Sequence, residues 1–219
     1  MGLDEKVSLA LSLLSSSSMD SRESVVFDWK TELPQLTGGI VVLREPVPED
    51  LGPLIDLFSI GDAVRFGLDY PVTGPAVREL IDRARERRAA GVSFTYVITV
   101  APRRAVVGVI QVRQLDPSFE TAEWECTIAP SSRGTGVFVE AARLVGSFTF
   151  GSVGAHRIES RVPLRNGRAN RELGKLGAVQ EGILRRSLRQ GDEYLDQILW
   201  AVLNEEWSDR WVAPAPRIH

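Results

Sequence analysis

Ten residues, Ala129-Pro130-Ser131-Ser132-Arg133-Gly134-Thr135-Gly136-Val137-Phe138, limit the fold of this chain more than any others. They come after a β-forming run, Glu123 to Ile128, that Pro130 stops. They lead into a segment with apolar residues at Val137, Ala141, Leu144, Val145 and Phe148, whose spacing predicts a helix from about Gly136 to Phe150. Gly134 and Gly136 carry no Cβ, so backbone amides in the turn between strand and helix are free to converge on one anion. The helix adds the positive end of its dipole and Arg133 adds a full charge, which suits a diphosphate. The same residues also suit an ordinary tight turn. A third glycine for a dinucleotide fingerprint and the Gly-Lys-Ser/Thr of a P-loop are both missing, and the turn lies well past the first strand, where a Rossmann fingerprint sits.

Reading outward from this turn gives the remaining elements. Ile40 to Leu43 reads as a first strand after Gly38-Gly39, and Pro48-Glu49-Asp50 opens a helix through Ile60. A second helix is expected over Val77 to Ala90. Its arginines (Arg78, Arg83, Arg85, Arg87, Arg88) are interleaved with Glu79, Asp82 and Glu86, the pattern of a solvated face. Strands come next at Phe94–Val100, Val106–Val112 and Glu123–Ile128, with a turn at Pro102-Arg103-Arg104. After the central helix come a strand at His156–Val162, a helix at Gly167–Leu176, and strands at Val179–Leu188 and Tyr194–Val202 joined by a turn at Gln190-Gly191. The order β-α-α-β-β-β-α-β-α-β-β predicts an α/β fold with a mixed, mostly antiparallel central sheet and helices on both faces. Three segments result: an N-terminal extension over 1–37, one domain over 38–207 and a tail over 208–219.

The balance of 43% hydrophobic and 25% charged residues over 219 positions is that of an ordinary soluble domain. A net charge of -3 argues against nucleic-acid or anionic-membrane partners. One cysteine, Cys126, and two histidines cannot build a Cys/His metal site or a disulfide framework, so no metal is expected and the lone thiol fits the cytoplasm. Leu3, Val7, Leu11 and Leu14 recur at helical spacing ahead of the serines at 15–18. This segment lacks the basic leading region and cleavage site of a signal peptide, and it is too short for a membrane span. Met19 offers an alternative start.

Together with the segments C-terminal to it, the glycine turn resembles the acetyl-coenzyme-A signature of GNAT-superfamily N-acetyltransferases, Gln/Arg-x-x-Gly-x-Gly/Ala at the head of a helix. Gly134 and Gly136 match, and Ser131 stands at the Gln/Arg position. The chain is most similar to the RimJ/RimL-like branch, which acetylates ribosomal-protein N-termini. That branch reads Arg-Gly-x-Gly, three residues, Glu-Ala, and Arg133 to Ala141 reproduce it, with Glu140-Ala141 in place. His156-Arg157-Ile158-Glu159 resembles the next strand. Asn166, Lys175 and Gly177 match the next helix, and Glu181-Gly182 and Asp192 to Asp196 resemble the last strands. The resemblance implies the acyl-CoA N-acyltransferase fold, with a V-shaped split between the strand ending near Ile128 and the one beginning near His156. Acetyl-CoA is the implied co-substrate, its pantetheine arm pairing with backbone at Thr127, Ile128 and Ala129 as a peptide adds to a sheet edge. Arg133, Gly134, Thr135, Gly136, Val137 and Phe138 would then hold its phosphates. Asn166 would reach the pantetheine or the thioester, or else simply start a helix.

Acetyl transfer to a primary amine needs a neutral amine, a stabilised oxyanion and a leaving thiolate. A backbone N–H near Ile128 is the expected oxyanion donor. Glu123 and Glu125 alternate along one strand and share a face, so both are candidate bases, and either also suits a solvent-facing carboxylate. The usual acid positions of the family hold Leu173 and Ala169, and the motif's closing phenylalanine is Ala178, which leaves Tyr194 and Cys126 as substitutes. An α-amine near pKa 7.7–8.0 is substantially neutral at physiological pH and a lysine near 10.4 is not, so a weak base suits a protein or peptide N-terminus. A small-molecule acceptor (amino acid, polyamine or antibiotic) and a non-catalytic acyl-CoA-binding module are the alternatives. Trp124, Phe66 and Tyr70 are candidates for the acceptor pocket or for the core. A homodimer is one of the open oligomeric states.

Overall fold

Eight strands join in one sheet, ordered β1-β2-β3-β4-β5-β6-β8-β7, in a computed structural model that describes residues 28–59, 66, 71–102 and 105–207. In chain order the elements are β1 (Leu36–Thr37), β2 (Val41–Arg44), α1 (Leu51–Ser59), α2 (Gly74–Ala89), β3 (Ser93–Val100), β4 (Ala105–Gln114), β5 (Thr121–Ile128), α3 (Val137–Phe148), β6 (Arg157–Pro163), α4 (Gly167–Lys175), β7 (Val179–Gln190) and β8 (Glu193–Leu203). All neighbours run antiparallel except β5 and β6, which α3 joins as a crossover. The mixed, mostly antiparallel sheet expected from the element order is therefore present.

Apolar pattern explains the layers. β3 is buried at all but its last position, so its continuous apolar run is that of a central strand covered on both faces. On one face Phe94, Tyr96, Ile110, Val112, Ala122 and Trp124 pack against α3 through Val137, Ala141, Val145 and Phe148. On the other, Val97 and Val109 meet Leu54, Leu57 and Phe58 of α1 and Val77 and Ile81 of α2. β6 alternates buried and half-buried positions, with Ile158 and Val162 directed to the α3 side.

Several boundaries differ from expectation, each for a local reason. Ile40 does not open the first long strand. It lies 46% exposed in a turn whose flanks, Leu36–Thr37 and Val42–Leu43, pair as an additional short hairpin. Residues 28–37, expected within a leading extension, pack on the domain: Trp29 and Leu33 are in the core, and the Tyr96 hydroxyl donates to the Pro34 carbonyl at 3.0 Å. α2 begins at Gly74 because Thr73 caps it, its hydroxyl accepting from the Ala76 amide at 3.4 Å. Pro48–Asp50 forms a 3-10 turn ahead of α1, and Asp50 turns inward to receive both Arg44 guanidinium nitrogens at 2.7 Å. α3 closes in a π turn, Thr149–Val153, ended by Gly154 at φ 89°. The segment at 3–14, Met19, Ile60, Tyr70, Arg103-Arg104 and the tail at 208–219 lie outside the described residues.

Candidate active site

β5 and β6 share only three register positions, Thr121↔Arg157, Ala122↔Ile158 and Glu123↔Glu159. Beyond them β5 continues along β4 to Ile128 and β6 continues along β8 to Pro163, so a wedge opens between the two strands. The Ala129 amide donates to Val107 O at 2.8 Å. Antiparallel alternation therefore turns the backbone polar groups of Thr127 and the Ala129 amide toward β4, and those of Cys126 and Ile128 toward the wedge. Of the three backbone positions expected along the split, only Ile128 faces it. The alternation of β5 with its partner sets this.

The glycine turn sits at the β5 side of the wedge mouth. Pro130–Ser132 makes a 3-10 turn, closed by the Ser132 amide on Ala129 O at 2.9 Å. Gly134 and Gly136 have φ of 81° and 91°, left-handed values that favour glycine, and a Cβ on Gly134 would meet nothing within 4 Å. The constraint at Gly134 is thus torsional, and the space in front of it is open. The first α3 amide with a backbone acceptor is that of Glu140, on Gly136 O at 3.0 Å, and no side chain caps the helix. The amides of Val137, Phe138 and Val139 keep the donor capacity of a helix start. Arg133 bends back so that Nε donates to Ile128 O at 2.9 Å, which holds its guanidinium beside the end of β5. The Thr135 hydroxyl donates to Ser132 O at 2.8 Å and fixes the turn from within. Converging amides, a dipole, a cation and open space are what a diphosphate requires.

Glu140 was legible only as a family match, and its contacts assign it a role. Its carboxylate accepts from the amides of Gly39, Ile40 and Val41 at 2.8, 2.9 and 2.9 Å. The β1–β2 turn is thereby tied to the first turn of α3. Gly38 has to be small here, since a Cβ would stand 2.6 Å from Glu140 Cδ.

On the α1/α2 face, register aligns Arg113 with Glu123 and Gln111 with Glu125. Glu123 is 2% exposed, with Oε2 on the Arg113 guanidinium and Oε1 at 3.3 Å from Arg161 Nη1. Arg161 also lies 3.5 Å from Glu159, and Arg157 links Glu159 at 3.0 Å to Glu181 at 2.5 Å. The Glu181 carboxylate holds the Arg157 guanidinium above its ordinary range, and Arg157 in turn holds Glu181 below the usual carboxylate range. Glu125 is half-buried, beside a Gln111 amide that donates to Thr95 Oγ1 at 3.2 Å. Both candidate carboxylates therefore share the expected face, with Glu123 enclosed by two arginines.

Other candidate residues lie elsewhere. Asn166 caps α4, its Oδ1 accepting from the Ala169 amide at 3.1 Å, with Nδ2 left as a donor at the β6 end of the mouth. Trp124 belongs to the α3-side core and meets Trp207 edge-on at 6.4 Å, so it does not line the α1/α2 face. Phe66 packs against Phe58 at 5.2 Å. Leu173 is a core residue of α4, Cys126 borders the α3-side core, and Tyr194 is 53% exposed on the β7–β8 hairpin. Among the described residues no His, Cys, Asp and Glu side chains gather as a metal-ligand set, and no helix is long and apolar enough to cross a membrane.

A family model described as "Acetyltransferase (GNAT) domain" matches residues 41–179. The Bacillus subtilis (strain 168) protein named "Probable N-acetyltransferase YjcK" is 28% identical over 152 residues, covering 69% of this chain and 83% of that relative. Among solved structures, Mycobacterium smegmatis RimJ in complex with CoA-disulfide superposes with a TM-score of 0.67 at 20% identity, over 79% of this chain and 87% of that one. A chimera of the Vibrio cholerae spermidine N-acetyltransferase SpeG with hSSAT superposes at 0.64 and 20% identity, over 78% and 99%. At these identities the two structures share the fold.

Proposed function

The chain belongs to the GNAT acetyltransferase family, and from that premise we propose that it transfers acetyl from acetyl-CoA to the α-amine of a protein or peptide N-terminus. The acetyl-CoA-dependent N-acetyltransferase activity follows from the family. The observation that carries the reading is the wedge between β5 and β6, with the uncapped amides of α3 at its mouth.

Bound acetyl-CoA supplies an activated thioester, and the chain's own residues do the rest. Amides from Gly134 to Phe138, together with the Arg133 guanidinium, hold the diphosphate. With the pantetheine arm in the wedge, the Ile128 N–H is the oxyanion donor, a contribution of roughly 3–4 kcal/mol in a dry site. Asn166 Nδ2 donates to the arm from the β6 side. Glu125 takes the proton of the attacking amine, directly or through water. Glu123, engaged by Arg113 and Arg161, orients the surrounding groups. A single carboxylate base with no tyrosine or serine at the usual acid positions suits an acceptor that is already partly neutral, as an α-amine is.

Two experiments test this. Calorimetric titration of acetyl-CoA into an Arg133→Glu/Gly134→Asp double variant should show binding lost while the circular dichroism spectrum is retained. Unchanged affinity would remove the diphosphate from this turn. Rates on matched peptides, one with a free α-amine and one acetyl-blocked with a single lysine, should favour the α-amine. Faster lysine acetylation would reassign the acceptor.

A further inference from the structure

The opposite side of the mouth carries a charge imbalance. Arg165, Arg168, Arg185, Arg186 and Arg189 are all exposed, the first two just past the end of β6 and the other three on β7. β7 bulges between Leu184 and Leu188, and the bulge is anchored beside β6: the Arg186 amide donates to Asp196 Oδ1 at 2.8 Å, while Asp196 O accepts from the Leu164 amide at 2.9 Å. Arg186 is held at φ 51° with its guanidinium 5.7 Å from the Tyr194 ring centroid. Arg185, Arg186 and Ser187, with Asp196, border an open hollow of about 890 Å³.

These guanidiniums differ from Arg83 and Arg88 of α2, Arg113 of β4 and Arg157 and Arg161 of β6, each of which has a carboxylate partner. On α2 the arginines alternate with acids, and Arg83 pairs with Glu79 while Arg88 pairs with Glu45. Arg185, Arg186 and Arg189 on β7, and Arg168 in the first turn of α4, have no carboxylate within 4.0 Å among the described residues. The one acid on β7, Glu181, is taken by Arg157. Of the nearby acids, Glu193 lies 3.8 Å from Arg165 and one Asp196 oxygen is occupied by a backbone amide, which leaves Asp192. Four exposed cations against so little acid, in a protein of net charge -3, form a local positive field.

We infer that the arginines of the β7 bulge, Arg185, Arg186 and Arg189, receive acidic side chains of the acceptor peptide downstream of its N-terminus. The inference rests on the peptide reading above and narrows it. A polyamine would be repelled here. The carrier's phosphates have their own cradle across the wedge at Gly134, so the bulge is left to the acceptor. A nucleic-acid strand is disfavoured by Asp192-Glu193 at the hairpin tip, and Tyr194 is the one aromatic residue on β7 or at its turn into β8.

The test uses the full chain and two peptides with the same first residue, one carrying glutamates at positions three to six and the other glutamines. At low salt the acidic peptide should have a kcat/KM about tenfold higher, and the two should converge by about 0.5 M NaCl. An Arg185→Glu/Arg189→Glu variant should lose the preference, keep the neutral peptide within about twofold, and keep acetyl-CoA affinity. Equal rates on the two peptides at low salt would overturn the inference and leave the peptide reading standing. A weakened acetyl-CoA affinity in the variant would hand the bulge to the carrier. Competition by a single-stranded oligonucleotide stronger than by the acidic peptide would hand it to nucleic acid. Acetylation of neither peptide would overturn the peptide reading as well.

Discussion

Replacing Glu140 by glutamine should unpick the contact between the first hairpin and α3. Three amides point at one carboxylate, at 2.8, 2.9 and 2.9 Å. Hydrogen bonds to a charged acceptor contribute roughly 1.5–3 kcal/mol each, but those of Gly39 and Ile40 are exposed, and water recovers much of their value. A total loss of about 2–3 kcal/mol is expected, most of it from the part-buried Val41 amide. Glutamine keeps one acceptor oxygen and turns an NH₂ toward a donor, so it should be nearly as damaging as alanine. With a urea m-value of about 2 kcal/mol/M, the unfolding midpoint should fall by about 1 M. Acetyl-CoA affinity should weaken as well, because Ile40 lies 3.7 Å from where a Gly136 Cβ would be, so the β1–β2 turn adjoins the glycine turn. Gly38→Ala, which drives a Cβ to 2.6 Å from Glu140 Cδ, should cost much less in a Glu140→Ala background than alone. A Glu140→Gln protein within about 0.5 kcal/mol of the parent would show that the charge is not what secures the turn.

Gly108→Ala should lower stability by about 1–3 kcal/mol and weaken acetyl-CoA binding, since its Cβ would stand 2.7 Å from the Thr127 carbonyl oxygen and force β4 from β5 at the wedge. A melting curve matching the parent would contradict this. Gly146→Ala gains about 1 kcal/mol of helix propensity, yet its Cβ would clash with the Trp207 ring carbons, so a net loss is expected in urea unfolding and a net gain would refute the packing argument. Glu181→Gln probes pH. The Arg157 guanidinium depresses the folded-state value of this exposed carboxylate, so its stabilisation is present above the unfolded value and is lost as pH falls through the folded one. The stability gap between parent and variant should be at most about 1 kcal/mol at neutral pH and should close below about pH 4.

The central turn was readable because its causes are local. Pro130 stops a strand, and two glycines allow the left-handed torsions found at 134 and 136. Alternation along β5 likewise placed Glu123 and Glu125 on one face. The same alternation, carried one residue further, assigns Trp124 to the α3 core and turns Ala129 toward β4. Contacts across the chain were out of reach. Glu140 meets Ile40 from 100 positions away, and the hairpin it secures is too short to leave a period in the sequence. Asn166 fits both a ligand donor and a helix cap, and the cap is what its Oδ1 makes. The arginines at 185, 186 and 189 form no spacing motif in the sequence, and only the register of β7 with β8 and of β8 with β6 sets them near the end of β6.

Register also separates the two candidate carboxylates of β5. Glu123 and Glu159 stand opposite one another at the last paired position of β5 and β6, an arrangement that like charges oppose. Arg161, two residues beyond that position on β6, reaches both, at 3.3 and 3.5 Å, while Arg113 and Arg157 close the flanks. Side-chain charges thus take over across the wedge where backbone pairing ends. Glu123→Gln would leave Arg113 and Arg161 without the carboxylate between them. Losing one partner of a buried pair costs about 3–5 kcal/mol, and at 41% and 37% exposure the two arginines recover part of that, so a loss of about 2 kcal/mol is expected. Glu125→Gln, one step further toward the open end, should lower kcat and change its pH profile while acetyl-CoA affinity is kept. A Glu123→Gln enzyme of full stability with an altered pH–rate profile, beside a Glu125→Gln enzyme with an unaltered one, would exchange the two roles.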